Sequence, residues 1–184
     1  MTFNEGEKKI LVEIGELVET DIAQMVPILY QHVRNRFTDE PEEKEIADIQ
    51  RYMRGGLDEY KRVRKYLVAK SADGLVLGCM AYSCPDADMV EHLNIPDDGK
   101  TVELLNAFVT NEVFRGGGVG QKLFEAICSR ARAEGKTMLA INSGPRYRLS
   151  WGFYDKMGGV RAGLILGKYG QVGVSDAMTW RVKL

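Results

Sequence analysis

Arg115-Gly116-Gly117-Gly118-Val119-Gly120 sets four glycines into six residues, between an apolar run and a long amphipathic one. Glycine loses more freedom on ordering than any other residue, so such a cluster marks a tight turn, the close approach of a ligand to the backbone, or both. A helix opening here would present its first N–H groups unpaired, at the positive end of its dipole, which suits a phosphate. A flexible link between strand and helix would need the same glycines. The flanking chain has to separate the two readings.

Before the cluster, residues 101–110 read as a strand. After it, Val119, Leu123, Phe124, Ile127 and Ala131 keep one apolar helical face until Gly135. Met138-Leu139-Ala140-Ile141 reads as a short buried strand, residues 149–157 as a helix ending at Gly158-Gly159, and 160–166 and 172–184 as closing strands around Lys168-Tyr169-Gly170. Farther upstream, 66–69 and 75–82 flank Ala72-Asp73-Gly74 as a hairpin. The long acidic stretch 83–100, with Asp86, Asp88, Glu91, Asp97 and Asp98, reads as a solvated loop in preference to a collar for a cationic substrate.

The chain opens with a predicted strand at 9–15, with Ile10, Val12 and Ile14 on one face. A helix follows, with an Asp21/Gln24 capping box and a kink or late start imposed by Pro27. A second helix from Glu42 carries Ile46, Ile49, Met53, Leu57 and Tyr60 on one face and is interrupted or bent at Gly55-Gly56. The resulting order predicts an α/β (α+β) fold: a mixed, largely antiparallel sheet of about six to seven strands flanked by helices.

At 184 residues the chain is sized for one buried core, and we expect a single domain over 1–184. Its 45% hydrophobic and 28% charged residues are those of a globular protein, and its net charge of -1 gives no field to draw nucleic acid. No apolar run approaches the ~20 residues of a membrane span, so a cytoplasmic protein without a membrane partner is expected. Cys79, Cys84 and Cys128 lack the spacing of a zinc site or disulfide framework, and His32 and His92 are too few for a histidine metal site. We expect no metal; monomer and homodimer both stay open.

Three phosphate-loop patterns compete for the glycines. A Walker A loop ends in Gly-Lys-Ser/Thr, whereas Gly120 is followed by Gln121, Lys122 and Leu123. The dinucleotide fingerprint puts glycine in its sixth place, where Gln121 or Leu123 stands. Arg/Gln-x-x-Gly-x-Gly/Ala does fit, on Arg115, Gly118 and Gly120. Here the sequence resembles the GNAT superfamily of N-acetyltransferases. The stretch Phe108-Val109-Thr110-Asn111-Glu112-Val113-Phe114-Arg115 is similar to the family's strand-to-loop passage, although proline is common where Glu112 stands. Phe153-Tyr154-Asp155-Lys156-Met157-Gly158 resembles its Phe-Tyr-x-x-x-Gly signature, and Ser143-Gly144 with the basic, aromatic run after it resembles a subset with an extended loop there. Tyr147 and Gly159 depart from the family's usual asparagine and phenylalanine.

The resemblance implies transfer of an acetyl group from acetyl-CoA, as co-substrate, to a primary amine of a small molecule or peptide, in a ternary complex. A non-catalytic acyl-CoA-binding or regulatory module on the same fold is the alternative. By the resemblance, Tyr154 is the general acid for the leaving thiolate, and main chain at Phe108, Val109 and Thr110 lines pantetheine and offers an N–H to the thioester oxygen. Arg115, Gly116, Gly117, Gly118, Val119, Gly120 and Gln121 hold the pyrophosphate, and Asn142 contacts pantetheine. Glu103 is the only carboxylate on the preceding strand and a candidate base, set against a reading as a solvated strand residue; Asn106 is a candidate to position a water. The acidic loop favours a cationic acceptor, whereas Arg146 and Arg148 favour an amino acid or peptide terminus.

Overall fold

A computed structural model of the chain describes residues 11–111 and 117–184. The strands are β1 (Val12–Glu16), β2 (Lys65–Ser71), β3 (Val76–Ser83), β4 (Thr101–Val109), β5 (Met138–Ser143), β6 (Val160–Ile165) and β7 (Ala177–Lys183). They form one sheet in the order β1-β2-β3-β4-β5-β7-β6. Every neighbouring pair is antiparallel except β4 and β5, whose parallel pairing requires a crossover, supplied by helix α4 (Val119–Ala133). This is the mixed, largely antiparallel sheet expected from the sequence.

The strands alternate between two apolar layers. On one face Leu67, Ala69, Leu77 and Met80 pack with Leu123, Phe124 and Ile127 of α4. On the other, Tyr66, Val68, Cys79 and Ala81 pack with α1 (Glu19–His32) and α2 (Glu43–Met53) through Ile22, Met25, Leu29, Ile46 and Ile49. All eight residues of β3 are buried, as a strand covered on both faces requires. Burying one such leucine or isoleucine stabilises the fold by about 1.5–3 kcal/mol.

Several local expectations change. Ile10 lies outside the described residues, and β1 begins at Val12. Helix α1 starts at Glu19 and continues through Pro27; Asp21 sits in its first turn, where a carboxylate oxygen accepts from Val18 N at 3.0 Å, so Asp21 is not itself the cap. Helix α2 ends at Met53, ahead of Gly55 at φ 84°, which leaves Leu57 and Tyr60 exposed in irregular chain and off any helical face. The acidic stretch is not a solvated loop throughout. It contains α3 (Ala87–His92), capped by the Asp86 carboxylate, and its Met89, Leu93 and Ile95 pack on Ala140. Residues 172–176 are turn, so β7 starts at Ala177.

Candidate active site

β4 and β5 are hydrogen-bonded only from Thr101↔Met138 to Leu104↔Ile141. Beyond that point β4 stays on β3 and β5 stays on β7, so the two strands part and leave main chain on their facing edges without a strand partner. A cleft of about 830 Å³ opens at the parting.

A bulge in β4 turns its side chains at that point. Cys79 pairs with Phe108 and Ala81 with Leu105, which places one more residue on β4 than on β3 between the two pairs. Asn106 takes a left-handed φ of 45°, and its carbonyl Oδ1 accepts from Arg64 Nη1 (2.6 Å) and the Tyr66 hydroxyl (2.7 Å). The bulge explains a failed alternation. The sequence pattern puts Glu103, Leu105, Ala107 and Val109 on one face; in the structure Leu105 and Phe108 face α1 and α2 while Ala107 and Val109 face α4. Thr110 N donates to Leu77 O at 2.9 Å, so the N–H that the resemblance offers to a thioester is occupied at Thr110. Strand alternation then turns the Val109 N–H toward the open edge.

Helix α4 starts beside the cleft. Gly118 caps it at φ 76°, a conformation that glycine adopts without steric cost, and no acidic residue stands in the first turn. Lys122 N closes the first helical bond to Gly118 O, leaving the N–H groups of Val119, Gly120 and Gln121 outside the ladder. A side chain at Gly120 would lie 3.7 Å from the Phe153 ring, so its lack of one keeps the cleft wall low between α4 and α5 (Trp151–Lys156). Arg115 and Gly116 lie outside the described residues, and Gly117 is exposed.

Tyr154 is buried on α5 against Trp180 (5.1 Å between ring centroids) and Phe153 (5.5 Å), and it lines the cleft with Gly120. Burial pushes its hydroxyl up to about 12, partly offset by a hydrogen bond with the Ser150 side chain, so the phenol keeps its proton across the neutral range.

Glu103 is fully buried, which overturns its reading as a solvated strand residue. Its Oε2 accepts from Arg62 Nη1 (2.8 Å) and Asp86 N (2.9 Å), and its Oε1 from Asn142 Nδ2 (2.6 Å). Burial raises its carboxyl, the Asp86 charge adds to the rise, and Arg62 opposes both. Asn142 thereby bridges the point where β4 and β5 part, and its Oδ1 accepts from the Tyr169 hydroxyl. Arg62 also pairs with Asp58 (2.9 Å), as does Arg64 (3.2 Å), and Lys168 pairs with Asp86 (2.8 Å). The loop after β6 is thus tied to the cleft floor by Lys168 and Tyr169.

The structure brings Tyr154, Glu103, Asn106, Asn142, Phe108, Val109 and Gly120 to one cleft. Arg146 lines it too, whereas Arg148 is exposed with its guanidinium 5.6 Å from the Trp151 ring. Sequence reasoning assigned no role to Asp58, Arg62, Arg64 or Tyr169. The signal available was three charged residues at 58, 62 and 64 leading straight into an apolar strand, where solvated charge has little reason to be. Among the described residues, no helix is long and apolar enough to cross a membrane.

The profile of the Acetyltransferase (GNAT) family matches residues 27–159. No curated protein sequence matches the chain. Among solved structures, a GNAT-family protein from Desulfovibrio desulfuricans superposes with a TM-score of 0.70 at 17% identity, covering 94% of this chain and 99% of that one. The ribosomal-protein-alanine N-acetyltransferase of Brucella melitensis gives 0.65 at 21% identity, over 94% and 99% of the two chains. The yncA protein of Salmonella typhimurium, solved with its cofactor acetyl-CoA, gives 0.63 at 18% identity, over 95% and 94%. At these identities the likeness is one of fold.

Proposed function

The chain belongs to the GNAT acetyltransferase family, and on that premise we propose that it is an acetyl-CoA-dependent N-acetyltransferase in which a primary amine attacks the thioester directly. The observation that carries the reading is the parting of β4 from β5 with a buried, protonated Tyr154 in the same cleft. The residues present suit the co-substrate. The open edge of β4 has no strand partner, although His32 Nε2 lies 2.6 Å from the Val109 carbonyl there, and the amide-bearing pantetheine arm can supply one. The free N–H groups at α4 suit the pyrophosphate, with Arg115, Gly116 and Gly117 as further contacts.

Acetyl-CoA supplies an acetyl carbon activated as a thioester. The amine nitrogen forms a bond to that carbon, negative charge gathers on the carbonyl oxygen, and the C–S bond then breaks. The Val109 N–H, fixed on the open edge, is the proposed donor to that oxygen; a donor already in place stabilises the charge without reorganising. Tyr154 gives its proton to the departing thiolate, and the phenolate left behind recovers one from the nitrogen, which sheds its second proton as the amide forms. An amine with a pKa near 10 arrives protonated at neutral pH. Its proton passes through water to Glu103, whose raised carboxyl is the better acceptor for being buried and whose Oε1 carries one described hydrogen bond. Asn106 has committed its carbonyl to Arg64 and Tyr66, so it offers such a water only its amide nitrogen. No cysteine is suited to carry the acyl group: burial pushes the Cys79 thiol up to about 12 and raises that of Cys128, and Cys84 does not line the cleft.

Titration with acetyl-CoA and measurement of free CoA released with a panel of primary amines test this reading. Binding with release for at least one amine is expected. Binding without release for any amine would support a non-catalytic acyl-CoA module in its place.

A further inference from the structure

Among the described residues, the cations of the cleft fall into two groups. Arg62, Arg64 and Lys168 each sit on a carboxylate at 3.6 Å or less and have side chains at most 8% exposed. Arg36 and Arg146 line the same cleft but form no ion pair among the described residues. Each is held instead by neutral oxygens. Arg146 Nη2 donates to His32 O at 2.7 Å, and Arg36 Nη1 donates to Val174 O (2.6 Å) and Ser175 Oγ (2.7 Å). A guanidinium has five N–H donors in a rigid fork. Both arginines are therefore oriented by one arm, with Arg36 also over the Phe37 ring (4.5 Å) and Arg146 over the Tyr147 ring (5.3 Å), and their remaining N–H groups make no other described hydrogen bond.

The same wall carries Glu45, which makes no hydrogen bond or ion pair among the described residues. Glu45 is exposed at its outer side; burial of the rest raises its carboxyl, the Glu42 and Glu59 charges add to the rise, and Arg146 and Arg64 oppose it without cancelling it. The mouth of the cleft therefore offers both signs of charge unpaired. A polyamine would leave both guanidiniums without a counter-charge, and a carboxylic acid without an amine would have no nitrogen to acetylate. The Arg36 bonds to 174 and 175 also join the α1–α2 loop to the β6–β7 loop beside the cleft, a link that a small molecule leaves intact.

We infer that the acceptor is a small zwitterionic amino acid or close analogue, whose carboxylate is received by Arg146 and Arg36 while its amine reaches the thioester. This rests on the acetyltransferase reading above. It is tested by CoA release from acetyl-CoA with each common amino acid, its carboxamide and its decarboxylated amine, for the unmodified protein and for Arg146→Gln, Arg146→Lys and Arg36→Gln. Thermal unfolding and acetyl-CoA titration of each variant run in parallel.

The expected result is an amino acid preferred over its carboxamide by about ten- to hundredfold in kcat/KM, the worth of a charge-assisted hydrogen bond. Arg146→Gln should collapse that preference through KM, Arg36→Gln should reduce it, and Arg146→Lys should restore part of it. A merely structural arginine would lower both substrates together and leave the ratio unchanged, which overturns the inference. So does a best acceptor that lacks a carboxylate, while CoA release with that acceptor leaves the acetyltransferase reading standing. Failure to bind acetyl-CoA would instead remove that reading and the inference with it.

Discussion

Glu103 holds three hydrogen bonds with two oxygens while entirely out of solvent, and one donor is the Arg62 guanidinium. A glutamine in its place offers one acceptor end and one donor end where three donors converge. One donor must lose its partner unless the Asn142 amide turns over, and the charge on Arg62 loses one of its two carboxylates. Glu103→Gln is expected to cost about 1–3 kcal/mol in denaturant unfolding. Its kinetic signature separates anchoring from proton transfer. If Glu103 accepts the amine's proton, the deficit in kcat/KM narrows as pH rises toward the amine pKa of about 10, where free amine no longer needs a base. A deficit that stays constant with pH would leave Glu103 with the anchoring role alone.

At the scale of elements, the contact of β3 with β4 beside the bulge decides where the cleft edge lies. A Cβ on Gly78 would meet Phe108 O at 2.4 Å and Val109 Cα at 2.9 Å, so β4 can approach this closely only over a glycine. Gly78→Ala should push Phe108 and Val109 outward, lower stability by about 1–3 kcal/mol as overpacking does, and weaken acetyl-CoA binding in titration. Unchanged affinity would mean that the β4 edge is not part of the binding surface. The same bulge marks the limit of what the sequence reveals. The order of the strands and of the other helices was legible from period changes, though α3 was not, the α4 start from its glycines and the acid candidate from Phe153-Tyr154. An inserted residue leaves no mark on an alternating apolar pattern, so the faces of Ala107 and Val109 could not be read. The burial of Glu103, Asp86 and Lys168 could not be read either, because it depends on partners 17 to 82 residues away in the chain.

Across the whole molecule, buried ion pairs tie the segment before β2 to β4 and the start of α3 to the loop after β6, and Asp86 N on Glu103 links the two, so the cleft floor and global stability share residues. Burial alone would raise the Asp58 carboxyl, but the Arg62 N–H and the charges of Arg62 and Arg64 outweigh it and hold the group below its usual value. Its contribution is therefore present above the unfolded pKa, about 3.9, and is lost as pH falls through the lower folded value. The raised Glu103 works in the opposite sense, favouring the fold at low pH and withdrawing as pH rises through its folded value. Denaturant unfolding at a series of pH values should show stability falling more steeply below about pH 5 in the unmodified protein than in Asp58→Asn; parallel curves would show that Asp58 is not the controlling group. The central claim is that the parted sheet delivers a thioester to Tyr154. Its most direct measurement is CoA release by Tyr154→Phe beside acetyl-CoA titration of the same variant. The account predicts retained binding with kcat lowered by about 10²- to 10⁴-fold, the usual worth of a placed proton donor; full turnover by the variant would contradict it.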